Sequence, residues 1–118
     1  GTVRTVALKW DAEDAAELLD DGGVDIILCS DCVNEPLYGQ SWVELADCFE
    51  VLCGPRTSVL FSLQRRLEDG FDGFLEHLRD SGFLLQRMAS QSHGGKEVLV
   101  FCARRRTASE RFAELLIR

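Results

Sequence analysis

The sequence lacks the features that would place a chain in a membrane or on a nucleic acid. No apolar run approaches the ~20 residues that a helix needs to span a bilayer. The opening stretch GTVRTVALKW shows no signal-peptide pattern. Lys and Arg (13) are outnumbered by Asp and Glu (20), which gives a net charge of −7. Such a charge argues against binding to phosphate backbones or anionic membranes, so we expect no nucleic-acid and no membrane partner.

Metal-ligand spacing is also missing. Cys29 and Cys32 form a single C-x-x-C, and neither His77 nor His93 stands at a zinc-like spacing from them. A redox pair of the thioredoxin type would open a helix, whereas Cys29 lies in an apolar run typical of a strand. We therefore expect no metal site. The five cysteines are expected to be free, mostly buried thiols in a reducing compartment, the cytoplasm or the nucleus.

What is present is the composition of one soluble domain. The chain has 118 residues, of which 46% are hydrophobic and 28% are charged. Apolar periodicity and glycine punctuation divide it into alternating elements. Strands are expected at residues 3–8, 24–30, 57–64, 84–90 and 97–105, and helices at 11–22, 38–54, 70–83 and 109–118.

This order predicts an α/β fold with a Rossmann-like, mainly parallel sheet and a C-terminal antiparallel β-hairpin. The strand at 24–30, VDIILCS, has the continuous apolar pattern of a parallel strand buried on both faces. The hairpin is expected to have a long loop that contains Gly94 and Gly95, and the last helix is expected to be capped by Ser109. Residues 1–118 are interpreted as one domain or part of one.

Asp31 follows the strand 24–30 directly, in the stretch SDCVNEP. Ligands of open parallel sheets bind outside the carboxyl ends of the strands, so Asp31 is placed where a ligand would be met. An acid at this position can equally cap the following helix or begin a turn before Pro36. Position alone leaves both interpretations open. Arg65-Arg66 and Arg104-Arg105-Arg106 are interpreted as solvated strand ends.

Several of these segments resemble a known family in their order and spacing. The run from Val24 to Arg66 is similar to the second half of a class I, seven-strand S-adenosylmethionine-dependent methyltransferase, and more narrowly to the methyltransferase-like protein-lysine methyltransferases. The carrying features are the strand DIIL followed by Asp31, the Leu-rich helix, the strand ending at Arg65-Arg66, and Ser81-Gly82-Phe83. The upstream ALKWD resembles the end of the third strand in that family.

The resemblance implies an enzyme with S-adenosylmethionine as cofactor and a protein as substrate. Trp10, and with it Asp11, would lie beside the adenine, although an indole at a strand end is also commonly a lid on the core. Ser30 would lie under the cofactor. Asp31 opens the family's D-x-x-Y motif and would border the methionine end and the lysine channel. Asn34 stands in place of the motif's tyrosine.

Two elements of the family pattern are absent from these residues. The ten glycines form no G-x-G that follows a strand and opens a helix, and no acid stands where the family binds the ribose hydroxyls. The chain thus resembles a partial domain that begins at the third strand. The alternative is a non-catalytic, truncated methyltransferase-like interaction module. A flavodoxin-like receiver is a third possibility, but the terminal hairpin does not suit it.

The absence of the family's N-terminal strands from these residues leads to a prediction about association. The strand 24–30 would lose its central neighbour and become an apolar, proline-free edge, which invites pairing with another chain. The strand 3–8 would have to cover that edge, pair in a second copy, or fray. We therefore expect a homo-oligomer, or a partner that restores the missing N-terminal half, and weak or no binding of S-adenosylmethionine by the isolated chain.

Overall fold

A computed structural model describes residues 1–19 and 22–117. The expected end of the first helix, at residues 20 and 21, lies outside these residues. The helices are α1 (Ala12–Leu18), α2 (Glu35–Tyr38), α3 (Trp42–Leu52), α4 (Phe71–Asp80) and α5 (Ala108–Ile117). The strands are β1 (Ile26–Ser30), β2 (Ser58–Gln64), β3 (Phe83–His93) and β4 (Lys96–Arg105).

The four strands form one sheet in the order β1-β2-β4-β3. β1 and β2 are parallel, with Ser30 opposite Ser62, and β4 is antiparallel to both β2 and β3. The last strand in sequence therefore lies between the second and third, which is the strand order that the methyltransferase resemblance implies. The α/β fold class and the C-terminal antiparallel hairpin are confirmed.

One face of the sheet carries the core. Alternate residues of β2 and β4 point into it, and α3 and α4 cover it with Leu45, Phe49, Phe74 and Leu78. The rings of Phe61 and Phe101 stack with their centroids 5.7 Å apart. Truncating a buried ring of this kind costs about 3–5 kcal/mol, so this face holds the strands in register.

The opposite face is open, which corrects the expectation that VDIILCS is buried on both sides. Ile26 is 61% exposed and Leu28 is 74% exposed, and both lie on the face away from α3 and α4. Within residues 1–19 and 22–117, no strand pairs with the outer edge of β1. The apolar run therefore forms an edge strand with one bare face, a surface that water solvates poorly.

The strand expected at residues 3–8 is not formed. These residues carry no regular secondary structure, and Val3 is 98% exposed. A β-branched, apolar segment adopts a strand only when a neighbouring strand accepts its hydrogen bonds. Residues 3–8 do not pair with β1, so this segment does not cover that edge within one chain, and its pairing in a second copy stays a prediction.

Several element boundaries differ from expectation. The chain between 38 and 54 is helical only from Trp42, because Gly39 at φ 61° separates it from the short α2. The hairpin loop is short, since His93 pairs with Lys96 and Gly94 and Gly95 form a two-residue turn at positive φ.

The last helix begins earlier than Ser109. Its cap is Thr107, whose Oγ1 accepts the N–H of Glu110 at 3.2 Å, while the Glu110 carboxylate accepts the N–H of Thr107 at 2.9 Å. This reciprocal pair is a capping box, T-x-x-E, and it satisfies two donors that Ser109 would leave unpaired.

A close approach at Gly70 fixes the loop that leads into α4. Gly70 has φ 81°, and a Cβ built on it would lie 2.5 Å from Cγ of Glu35. Glu35 cannot easily withdraw, because its Oε1 accepts a hydrogen bond from Trp42 Nε1 at 2.9 Å. Only glycine fits this position, and the contact ties the start of α2 to the start of α4.

Replacing Gly70 by Ala should lower the free energy of unfolding by about 2–4 kcal/mol, because backbone strain and the clash with Glu35 add. Gly95→Ala is the matched control. Gly95 has φ 76° but nothing within 4 Å of its Cβ position, so only backbone strain of about 1 kcal/mol is expected. Urea denaturation of both variants measures the difference. Equal losses would show that the contact with Glu35 contributes nothing.

Candidate functional site

The site is built where the parallel strands β1 and β2 end side by side. Ser30 and Ser62 close the ladder, and their hydroxyls are 3.3 Å apart with Ser62 donating. The N–H of Asp31 continues the ladder by one bond, to the carbonyl of Ser62 at 2.8 Å. This bond fixes the residue after β1 at the carboxyl edge of the sheet, the edge at which open α/β sheets meet their ligands.

Asp31 has a left-handed backbone, with φ 52°. Its Oδ1 accepts the N–H of Gln64 at 2.9 Å and a guanidinium N–H of Arg66 at 3.3 Å. The carboxylate therefore joins the two strand ends and does not cap the following helix, whose N-cap residue is Asn34. Among the described residues, both hydrogen bonds go to Oδ1. The half-exposed side chain thus keeps Oδ2 available.

Asn34 is buried and incompletely paired. The residue is 5% exposed, and its Oδ1 has no hydrogen-bond partner within the described residues. Its backbone carbonyl accepts the N–H groups of Leu37 and Tyr38. A buried amide oxygen without a donor costs about 1–3 kcal/mol, so its retention indicates that a ligand or water supplies the missing donor.

Asp69 holds the loop between β2 and α4. It is 2% exposed and accepts the N–H groups of Arg66 (2.9 Å) and Phe71 (3.0 Å) and two guanidinium N–H groups of Arg65 (3.0 and 3.4 Å). Burial by itself would raise the pKa of Asp69, but these N–H donors and the Arg65 charge lower it below its ordinary value. Its carbonyl also accepts the N–H of Glu35, which ties in the loop after β1.

Trp10 and Asp11 lie at the start of α1. Trp10 is partly buried and packs against both the main core and the smaller cluster between α1 and α3. Asp11 is the N-cap of α1, where its Oδ1 accepts the N–H of Asp14 at 2.8 Å. Within the described chain, no hydrogen bond joins either residue to Asp31. The structure thus brings Ser30 and Asp31 together, with Asn34 in the loop that follows, and gives Trp10 and Asp11 packing and capping contacts.

The arginine pairs were wrongly interpreted as solvated strand ends. Arg65 forms ion pairs with Asp69 and Asp72, and Arg66 pairs with Asp31. Arg104 makes two hydrogen bonds to Glu110 at 2.9 Å, and Arg105 donates to the carbonyls of Glu50 and Cys53 at the end of α3. The spacing of Arg65 and Asp69 gave no signal for their pairing, since residues 65–70 form a loop and a four-residue spacing brings side chains together only on a helix.

Two further properties of the described residues concern membrane spans and metal ligands. In 1–19 and 22–117, none of the helices combines the length and apolar character that crossing a bilayer requires. Within the same residues, no group of three or more His, Cys, Asp or Glu side chains is arranged to hold a metal ion.

The strand order and the acid at the tip of β1 define the class I methyltransferase fold. The family model described as "Lysine methyltransferase" matches residues 1–84. Since that match covers well over half of the sequence, the chain belongs to the lysine methyltransferase family.

Three longer proteins are similar to this chain in sequence or in structure. Secreted RxLR effector protein 48 of Plasmopara viticola is 44% identical over 85 residues, which cover 68% of this chain and 43% of that protein. A precorrin-6y C5,15-methyltransferase from Geobacter metallireducens GS-15 has a TM-score of 0.48 at 17% identity, over 75% of this chain and 48% of that one. EvdMO1 has a TM-score of 0.49 at 19% identity, over 80% and 24%. The chain spans less than half the length of each.

The lowered pKa of Asp69 makes part of the stability pH-dependent. Because its pKa is lower in the folded than in the unfolded state (about 3.9), the contribution is fully present above about pH 4 and is lost as pH falls through the folded value. Asp69→Asn should lower the free energy of unfolding by about 2–3 kcal/mol at pH 7. Below pH 4, the difference in this free energy between the variant and the unmodified chain should become smaller.

Asp72→Asn is the control, since Asp72 pairs with the same Arg65 from a side chain that is 84% exposed. Asp72→Asn should lower the free energy of unfolding by less than about 0.5 kcal/mol. Urea denaturation from pH 3 to 8 measures both variants. If the loss in unfolding free energy caused by Asp69→Asn is the same at every pH, the proposed charge effect is contradicted.

Proposed function

We propose that these residues form the substrate side of an S-adenosylmethionine-dependent methyltransferase domain whose acceptor is an amine, most specifically a lysine side chain of a protein. One observation carries the proposal: among the described residues, the loop after β1 holds two acceptors without donors, the half-exposed Oδ2 of Asp31 and the buried Oδ1 of Asn34. A lysine ammonium offers three N–H donors and no acceptor, which matches this pair.

The two acceptors suit different stages of methyl transfer. The Asp31 carboxylate can hold the arriving ammonium by charge. The transfer itself needs a neutral amine, so a proton must leave to water before the lone pair reacts. The neutral Asn34 amide oxygen then accepts a remaining N–H and orients the nitrogen, and such orientation supplies much of the rate. Family membership adds the expectation of a lysine substrate, and the free cysteines favour a reducing compartment, the cytoplasm or nucleus.

The residues fit one wall of a cofactor site. S-adenosylmethionine supplies an electrophilic sulfonium methyl. Ser30 is exposed at the end of β1, next to Asp31. The partly buried indole of Trp10, just before α1, offers an apolar surface. The Asp11 carboxylate already caps α1, so we expect Asp11 to contribute through its backbone. A glycine loop and a ribose-binding acid would have to come from residues outside this chain.

Asp31→Ala should lower methyl transfer about 100-fold or more in a complete domain while the melting temperature falls by only a few degrees, because a half-exposed ion pair contributes little to stability. Asp25→Ala is the control, an acid just before the other end of the same strand, and should leave transfer unchanged. Transfer of a labelled methyl group and thermal melts are the measurements. Proportional losses of activity and stability would assign Asp31 a structural role only.

A second candidate function is favoured by the open side of the sheet. β1 offers an unpaired edge, and Ile26 and Leu28 continue its bare apolar face. Leu60 and Val100, with Leu28, line a shallow depression of about 380 Å³ on this face. We propose that this face and edge bind a protein chain that adds a strand to β1, either a second copy or a partner with the missing half of the domain.

The isolated chain should therefore form a dimer or larger oligomer, and Leu28→Lys should shift it towards monomer because a charge on an edge strand opposes pairing. Leu67→Lys is the control, since Leu67 is 87% exposed in a loop away from this face. Light scattering measures the mass, and calorimetric titration should show weak or no binding of S-adenosylmethionine. A compact monomer with micromolar affinity for the cofactor would contradict both expectations.

A further inference from the structure

Cys29 and Cys32 are brought together by the backbone turn at Asp31. In a continuing strand, residues three apart point to opposite faces. The positive φ of Asp31 breaks this alternation and folds Cys32 back towards β1. Both thiols line the same narrow crevice above Phe49 and Phe61.

The two thiols differ in their surroundings. Both side chains pack against the core, Cys29 from β1 and Cys32 from the loop that follows, and the Cys32 thiol also donates to the carbonyl of Ser30 at 3.5 Å. The hydrogen bond from Cys29 lowers the pKa of Cys32 to about 7, against the effects of burial and of the Asp31 charge. The same contact, with burial, raises the pKa of Cys29. Cys32 is thus the stronger nucleophile at neutral pH and Cys29 its protonated neighbour.

The buried cysteines elsewhere lack this arrangement. Cys48 and Cys53 are buried, and desolvation raises the pKa of both, that of Cys53 to about 11. Cys102 is partly exposed on β4.

We propose that Cys29 and Cys32 form a reversible, peroxide-sensitive thiol–disulfide pair that brackets Asp31. The Cys32 thiolate attacks one oxygen of a hydroperoxide, which breaks the O–O bond and gives a sulfenic acid and hydroxide or alkoxide. The Cys29 sulfur then displaces the sulfenic oxygen, which leaves as water after taking up the Cys29 proton. Two thiols are oxidised and one peroxide is reduced. A dithiol reductant reverses the change by exchange.

The bridge would act on the site between the two sulfurs. The sulfurs must approach to about 2 Å, and this draws together the residues on both sides of Asp31. The bonds from Gln64 and Arg66 to the Asp31 carboxylate depend on this turn. Oxidation therefore changes the presentation of the carboxylate without any change at Asp31 itself.

Digestion before aspartate gives a direct test, because cleavage before Asp31 separates Cys29 from Cys32. The fragments 25–30 and 31–46 each contain one cysteine. After brief treatment of the folded 118-residue chain with hydrogen peroxide and blocking of free thiols, we expect these fragments to remain linked, with the loss of two hydrogens. Dithiothreitol should restore the separate fragments. Fragments that stay separate after peroxide would overturn the proposal.

Variants assign the two roles. Cys29→Ser should leave Cys32 as a sulfenic acid that dimedone traps, and Cys32→Ser should abolish both the link and the trapping. Cys102→Ser is the control and should change nothing. In the untreated folded chain at pH 7, Cys32 should react with iodoacetamide at least about fivefold faster than Cys48 or Cys53, after allowing for its weaker intrinsic nucleophilicity. The proposal would also be overturned if iodoacetamide reacted faster with another cysteine than with Cys32, or if the two fragments remained linked in the Cys32→Ser variant.

Discussion

The buried carboxylate of Asp69 is the interaction on which the site depends. It accepts the backbone N–H groups of Arg66 and Phe71 and forms an ion pair with Arg65. The backbone carbonyl of the same residue accepts the N–H of Glu35. One residue thus joins the end of β2, the start of α4 and the loop that follows β1. A buried charge is tolerated only when its hydrogen bonds are satisfied, and here the requirement organises three chain segments around one point.

The order of the strands explains why a site and a bare surface occur in the same sheet. Parallel pairing of β1 and β2 brings Ser30 and Ser62 to a common edge, and the turn at Asp31 then holds the carboxylate there. The same pairing uses only one edge of β1 and leaves the other without a partner. α3 and α4 cover one face, so the apolar residues Ile26 and Leu28 remain on the uncovered face. The catalytic and the associative proposals therefore rest on one topological feature.

The sequence predicted the parts of the structure that follow from local periodicity. Apolar runs located β1 and β2, and their ends placed Asp31 at the rim. Residues 3–8 have the same strand pattern but remain unpaired, because a strand depends on a neighbour that periodicity does not supply. The role of Asp69 could not be predicted, since its contact with the chain at Glu35 spans 34 residues. The cap at Thr107 was missed although its T-x-x-E spacing was readable, because Ser109 offered a competing cap.

The two acidic residues at the rim differ in how firmly they are held, and this difference matters for chemistry. Asp69 is 2% exposed and accepts four hydrogen bonds, so losing one of these donors leaves a buried charge with less support. The side chains of Asp31 and Arg66 are 50% and 36% exposed, and such a pair contributes only about 0–1 kcal/mol. A cation that approaches Asp31 can therefore displace Arg66 at little cost while Asp69 keeps the loop in place. A fixed carboxylate beside an exchangeable one lets the rim accept an ammonium without rebuilding the loops that shape it.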